Sequence, residues 1–292
     1  MHAPVRTAIF PVAGLGTRFM PATKGTPKEL LPVIDTPLIQ YAIDEAREIG
    51  VERMIFISHP SKAAIKHYVM DDADLRAILV EHGKPALAHD LEEAALDTHD
   101  CEVVFVMQPD PLGLGDAVLR ASPQALDGPV AVILPDDLIL GKPGCLREMV
   151  EAYAVCNAGH LIAVMEVPKA LTAQYGILDV TTQDDRFVYA SGIVEKPKPE
   201  VAPSQMAVVG RYILDPAVFD ALKRTQPGAG GEIQLTDAIA ESGGKVGIAG
   251  YRFSGRRFDC GSKPGMLAAT LYLAKDDPAY AEVFDEYLKL ES

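Results

Sequence analysis

A chain of 292 residues of which 48% are apolar can bury a large core, which excludes a disordered protein. Its formal net charge of −14 argues against a nucleic-acid coat and against an anionic membrane surface, and leaves a small anionic substrate open. No apolar run approaches the roughly 18 residues of a membrane span, and residues 1–6 lack the long apolar core of a secretory signal, which predicts a cytoplasmic protein without membrane or nucleic-acid partners.

In chain order, residues 7–12 read as a buried strand, followed by the loop Val12-Ala13-Gly14-Leu15-Gly16-Thr17-Arg18 and then Pro27-Lys28-Glu29-Leu30-Leu31-Pro32. The clearest helix follows, with Thr36 as N-cap and Pro37 in its first turn. Leu38, Ile39, Ala42, Ile43, Ala46 and Ile49 lie on one face, and Gly50 closes it. Further strands are predicted at 53–58, 102–107, 130–134 and 161–167, with helices at 74–82, 87–96 and 145–156. Strands alternating with helices predict an α/β fold with a mostly parallel sheet. Beyond Tyr175 the pattern changes to short β-like pieces at 176–180, 187–194 and 208–214, with helices at 216–223, 235–242 and 266–275. Residues 279–290 read as a helical tail carrying Tyr280, Val283, Phe284, Tyr287 and Leu288 on one side.

With no internal repeat, and with Pro197 to Glu200 too short for a linker, residues 1–292 are expected to form one domain. Its parts are residues 1–170, where strands alternate with helices, residues 171–262, where short β-like pieces follow, and carboxyl-terminal helices (263–292) whose apolar faces suit a homodimer or homotetramer. Cys101, Cys145, Cys156 and Cys260 have neither Cys-x-x-Cys spacing nor a histidine at zinc-ligand spacing, so reduced structural thiols are expected.

A glycine-rich loop at a strand's carboxyl end is where an α/β sheet binds phosphates. Phe19 stands where a dinucleotide loop has its third glycine, and no Gly-Lys-Ser/Thr closes a P-loop, so both those patterns are absent. The segment 1–28 contains Arg6, Arg18, Lys24 and Lys28 but no acidic residue, a local positive field in an acidic protein. Arg18 has the planar fork to bridge phosphate oxygens, and Lys28 is a point charge. Asp136 and Asp137 follow a strand, and Asp259 is a distant third acid, a set that suits a hard cation. Gln108 ends the strand at 102–107 with a paired donor and acceptor. Asp116 reads as a helix amino-terminal residue. No role falls to His59, His67, His82, His89, His99 or His160, and Lys62, outside every motif, is expected to be dispensable for turnover.

The composite Ala-Gly-Leu-Gly-Thr-Arg-x-x-Pro-Ala-Thr-Lys-x-x-Pro-Lys-Glu resembles the signature of the sugar nucleotidyltransferases, in particular their bacterial UTP:glucose-1-phosphate uridylyltransferase branch. The resemblance continues through Leu112-Gly113-Leu114-Gly115, Ile133-Leu134-Pro135-Asp136, Tyr175-Gly176, Val194-Glu195-Lys196-Pro197, Gly210-Arg211-Tyr212, Gly231-Glu232-Ile233-Gln234-Leu235-Thr236-Asp237 and Phe258-Asp259-Cys260-Gly261, nearly the whole chain. It implies a three-layer α/β/α, Rossmann-like nucleotide-diphospho-sugar transferase fold with a mixed, mostly parallel central sheet. It implies transfer of uridylyl from UTP to glucose 1-phosphate, giving UDP-glucose and pyrophosphate, with Mg2+ as cofactor.

By the same resemblance Arg18 and Lys28 are catalytic and Asp136 and Asp259 bind the metal. Ala13, Gly14, Gly16, Thr17, Lys24, Glu29, Gln108 and Gly113 bind the nucleotide, while Asp137, Gly176, Glu195 and Lys196 meet the sugar phosphate. The chain departs from the pattern at Asp137, where an apolar residue is more common, and at Asp116, where related enzymes often carry histidine; two adjacent acids leave open which one reaches the ion. Alternatives are a thymidylyl- or cytidylyltransferase on the same sugar phosphate and a non-catalytic nucleotide-sugar-binding regulator. A Rossmann oxidoreductase is disfavoured by the missing glycine.

Overall fold

The computed structural model describes residues 2–96 and 101–290. His99 and the side chains of Phe284, Tyr287 and Leu288 lie outside the described set. The strands are β1 (Thr7–Pro11), β2 (Pro32–Val33), β3 (Thr36–Pro37), β4 (Arg53–Ser58), β5 (Glu102–Met107), β6 (Val130–Ile133), β7 (Asp137–Leu140), β8 (His160–Glu166), β9 (Gly176–Gln183), β10 (Phe187–Glu195), β11 (Met206–Leu214), β12 (Ile248–Arg252) and β13 (Arg256–Asp259). The helices are α1 (Leu38–Glu48), α2 (Ala63–Val69), α3 (Ala73–Glu81), α4 (Pro85–Ala94), α5 (Leu114–Ala121), α6 (Cys145–Tyr153), α7 (Ala217–Leu222), α8 (Leu235–Val246), α9 (Lys263–Asp276) and α10 (Pro278–Leu290).

Nine strands form one mixed sheet in the order β5-β4-β1-β6-β11-β8-β12-β10-β9. Only β11 and β10 run against the others, so the sheet is mixed and mostly parallel. The two-residue period of β1 feeds both faces: Ala8 and Phe10 enter one core and Ile9 the other. On the first face α1 and α6 pack with Ile39, Ile43, Leu146 and Met149, and Phe10 stacks on Phe56 at 4.6 Å. On the second, α5, α7 and α8 supply Val118, Leu222 and Ile239. Helices on both faces make the three layers.

Thr36 is not an N-cap. It pairs with Val33 across the β2–β3 hairpin, and the cap of α1 is Pro37. Leu38 accordingly leaves the apolar stripe of α1 for a third cluster with Val33, Leu138 and Phe258, while Ile39, Ala42, Ile43 and Ala46 face the main core as expected. Gly50, at φ 68°, ends the helix in the left-handed conformation that glycine tolerates. The four cysteines are free thiols. Among the described residues, no helix is long and apolar enough to cross a membrane.

Candidate active site

The loop after β1 is a chain of tight turns, at Thr17–Phe19, Ala22–Lys24 and Lys28–Leu30. Gly16 turns it at φ 64°, where a Cβ would stand 3.2 Å from both Lys28 Cβ and Thr23 Cγ2. Thr23 Oγ1 donates to the Gly16 carbonyl at 2.8 Å, closing the loop over Lys28. Underneath, Glu29 is buried, and Lys62 Nζ donates both to Glu29 Oε2 at 2.8 Å and to the Val12 carbonyl at 2.7 Å. Burial pushes the Glu29 carboxyl up and the Lys62 ammonium down, against the attraction of each for the other. Glu29, expected at the nucleotide, therefore braces the loop from below. Lys62, expected to be dispensable, is its partner.

The carboxylates converge through strand register. β13 runs antiparallel to β7 with Asp259 opposite Asp137, which brings Asp259 to the end of β6 where Asp136 sits. Asp136 Oδ2 and Asp259 Oδ1 lie 3.0 and 3.1 Å from the point that a Cβ on Gly261 would occupy. Arg18 Nη1 is 3.7 Å from the same point, and 3.5 Å from the Gly261 carbonyl. Two hard oxygen donors facing one cradle fit Mg2+, which takes few protein carboxylates and fills its octahedron with waters and phosphate oxygens. Among the described residues no group of three or more His, Cys, Asp or Glu is gathered for a metal.

Asp137 has another task. Its Oδ2 accepts the Gly210 N–H at 2.6 Å and its Oδ1 is bonded to Arg257 Nε, whose Nη1 reaches Tyr175 Oη at 3.0 Å. Both oxygens are engaged within the protein, so Asp136 is the acid left to face the cradle. Burial raises the Asp137 carboxyl although Arg257 opposes it. At Asp136 burial pulls the same way, but Lys28 Nζ, 2.5 Å away, outweighs it and holds the carboxyl below its ordinary range. The Lys28 ammonium is held up in turn: burial disfavours it, and Asp136 and Glu29 more than compensate.

Two cavities meet here. The first, about 300 Å³, is lined by Ala13, Gly14, Lys28, His59, Gln108 and Gly113 among others, the second, about 560 Å³, by Arg18, Tyr175, Gly176, Glu195, Lys196 and Asp259 among others. Asp136 and Leu134 border both. Each cavity takes residues from both sides of residue 170: Glu232 lines the first, and Arg18, Asp136 and Asp137 line the second. Gly16, Thr17 and Lys24 border neither.

In the second cavity, Glu195 Oε2 accepts from Thr236 Oγ1 at 3.0 Å, and Lys196 Nζ lies 3.2 Å from Glu195 Oε1. Lys196 adopts φ 45°, an uncommon backbone for a non-glycine residue. Gly176 is packed closely, since its Cβ would meet Thr236 Cγ2 at 3.0 Å. In the first, Gly113 at φ 100° leaves no room for a side chain, but the obstruction is Glu232 Cβ at 2.7 Å and the Ile233 carbonyl at 2.8 Å. Sequence reasoning missed Arg257, Gly210, Gly261, Lys62 and Thr236. Gly210, Gly261 and Thr236 stood inside quoted motifs; Lys62 had no local signal.

Residues 8–275 match the family profile described as Nucleotidyl transferase. A UTP--glucose-1-phosphate uridylyltransferase of Komagataeibacter xylinus is 44% identical over 90% of this chain and 92% of its own length. One of Staphylococcus haemolyticus is 38% identical over 98% of each. Among solved structures, a UTP-bound UGPase from Acinetobacter baumannii superposes with a TM-score of 0.87 at 39% identity, over 97% of this chain and 98% of that one. A UDP-glucose pyrophosphorylase complexed with UDP-glucose gives 0.83 at 35% identity, over 94% and 100%. The chain belongs to the nucleotidyl transferase family, and within it to the branch formed by the UTP--glucose-1-phosphate uridylyltransferases.

Proposed function

We propose that this enzyme transfers uridylyl from UTP to α-D-glucose 1-phosphate, giving UDP-glucose and pyrophosphate by direct in-line attack, with Mg2+ as cofactor. The observation that carries the reading is the place of Asp136 on the boundary of two cavities, with Lys28 on one side and Arg18 on the other. The activity of the relatives, and the UTP and UDP-glucose of the solved neighbours, support the choice of substrates.

Both reactants are anions, so the chemistry asks for positioning and neutralisation rather than a protein nucleophile. In this reading Asp136 and Asp259 hold Mg2+, which when bound offsets charge on the α-phosphate and the incoming sugar phosphate. Lys28 and Arg18 add fixed cations at the same junction. The backbone of Ala13 and Gly14 lies along the triphosphate, and Gln108 meets the pyrimidine edge. Glu195 accepts from sugar hydroxyls and Lys196 faces the sugar phosphate. Residues 1–170 then supply mainly the nucleotide side and 171–262 mainly the sugar side. A cytoplasmic homodimer or homotetramer goes with the reading. Pyrophosphate release, measured with Mg2+ over a grid of nucleoside triphosphates and sugar 1-phosphates, tests it; no release from UTP with glucose 1-phosphate refutes it.

A further inference from the structure

The amide of Gln108 is held by a carboxylate outside the reacting groups. Gln108 follows β5 and borders the first cavity, with only 5% of its surface exposed. Its Nε2 donates one hydrogen to the Gly113 carbonyl at 3.2 Å and the other to Asp116 Oδ2 at 2.7 Å. Both neighbours are pure acceptors, so the nitrogen must face them and the two ends of the amide are not interchangeable. Asp116, in the first turn of α5, is fixed from the far side by Arg120, whose Nε donates to the same Oδ2 at 2.6 Å. With both hydrogens committed, Gln108 can offer a ligand only its oxygen.

We propose that Asp116, held by Arg120, locks Gln108 as an obligate hydrogen-bond acceptor and so selects nucleotides whose base carries a proton at N3. The inference rests on the reading of this cavity as the uridine site. Uracil presents an N3–H between two carbonyls, and an acceptor at that height satisfies it. Cytosine has a bare lone pair at N3, which would face the lone pairs of Gln108 Oε1, and its amino donor is displaced to the next ring position. An unlocked glutamine would rotate to put its nitrogen toward cytosine; Asp116 removes that option. Thymine keeps the N3–H and is not excluded. Asp116 is thus a positioning residue that acts through Gln108.

The test is binding of UTP and of CTP without sugar phosphate, by titration calorimetry, on the wild-type protein and on D116A, R120A and the double variant D116A/R120A. The double variant removes both charges of the pair and avoids an unpaired buried one, which keeps the test available if D116A does not fold. Wild type should prefer UTP, and D116A and the double variant should lose at least about tenfold of that preference, the worth of one misoriented buried hydrogen bond. R120A should retain most of it, because Asp116 still accepts from Gln108. An unchanged UTP:CTP ratio in the double variant overturns the proposal. A wild-type protein that prefers UTP yet releases no pyrophosphate would refute the catalytic reading alone and leave the lock standing.

Discussion

Lys28 Nζ lies 2.5 Å from Asp136 Oδ2, which places a protonated amine against the carboxylate that borders both cavities. Asp136 retains 26% of its side-chain surface and Lys28 22%, so the pair remains reachable from the cavities. Lys28→Ala should lower kcat by about 10²–10³, the usual effect of removing one preorganised group at a site of charge development. The unfolding midpoint should move little, since a partly exposed pair is worth under about 1 kcal/mol. Steady-state kinetics with a thermal melt checks both, and a variant with normal turnover would remove Lys28 from the reaction.

Lys62 and Glu29 reverse that balance. Their side chains are exposed to only 6% and 1%, and Glu29 Oε1 has no hydrogen-bond partner among the described residues. Lys62→Ala strands a buried carboxylate and should cost about 3–5 kcal/mol in chemical denaturation. The double replacement E29Q/K62M should cost less, because no charge is left alone. Equal losses in the two variants would show that the stranded charge is not what Lys62→Ala costs.

His160 is a pH probe inside the core. Its Nδ1 accepts the Asp215 N–H at 3.2 Å, so the ring proton sits on Nε2, which faces Ser242 Oγ at 2.9 Å. Burial lowers its pKa from 6.5 to about 4, with Asp215 opposing. A depressed folded-state pKa means that the unfolded chain takes up the proton first. Stability is therefore full above pH 6.5 and declines as pH falls toward about 4, by about 3 kcal/mol in all. In His160→Gln this part of the slope should vanish from the melting temperature measured against pH.

Thr236 supports the sugar side through Glu195 Oε2 at 3.0 Å. Thr236→Val keeps the shape and deletes the donor, so the carboxylate loses its bearing. KM for glucose 1-phosphate should rise about fivefold, for a hydrogen bond of about 1 kcal/mol, with KM for UTP unchanged. A rise in both constants would place the effect elsewhere.

Leu267 and Leu271 on α9 and Val283 on α10 stay 59%, 44% and 67% exposed. Sedimentation velocity should show a dimer or tetramer that covers them. A monomer at assay concentration refutes the proposed assembly.

The loop after β1 was legible because its constraints are local: glycines at a strand's end, a proline-bounded Lys28-Glu29 and a flank without acids. Gln108 and the strands β1, β4, β5 and β6 were legible for the same reason. The insertion of β11 between β6 and β8 was not, since periodicity records which face is buried and not which neighbour covers it. Nor were β7, only four residues long, and β13, whose Arg-Arg-Phe-Asp gives no strand signal, yet their pairing carries Asp259 to Asp136. The jobs of adjacent Asp136 and Asp137 separate only when Arg257 and the Gly210 N–H are in place. A motif position says nothing about the side of the loop to which a side chain turns, and Glu29 turns to Lys62.

The obstruction at Gly113 has a mechanical meaning. Leu112 accepts from the Ile233 N–H at 2.8 Å, and the Ile233 carbonyl accepts from the Gly115 N–H, also at 2.8 Å, so the loop before α5 is laced to the segment just before α8. Three residues beyond Ile233, in the first turn of α8, Thr236 donates to Glu195 Oε2. Glu232 lines the first cavity and Gln234, Leu235 and Thr236 line the second, so one short stretch of main chain walls both and joins the Gly113 loop to Glu195.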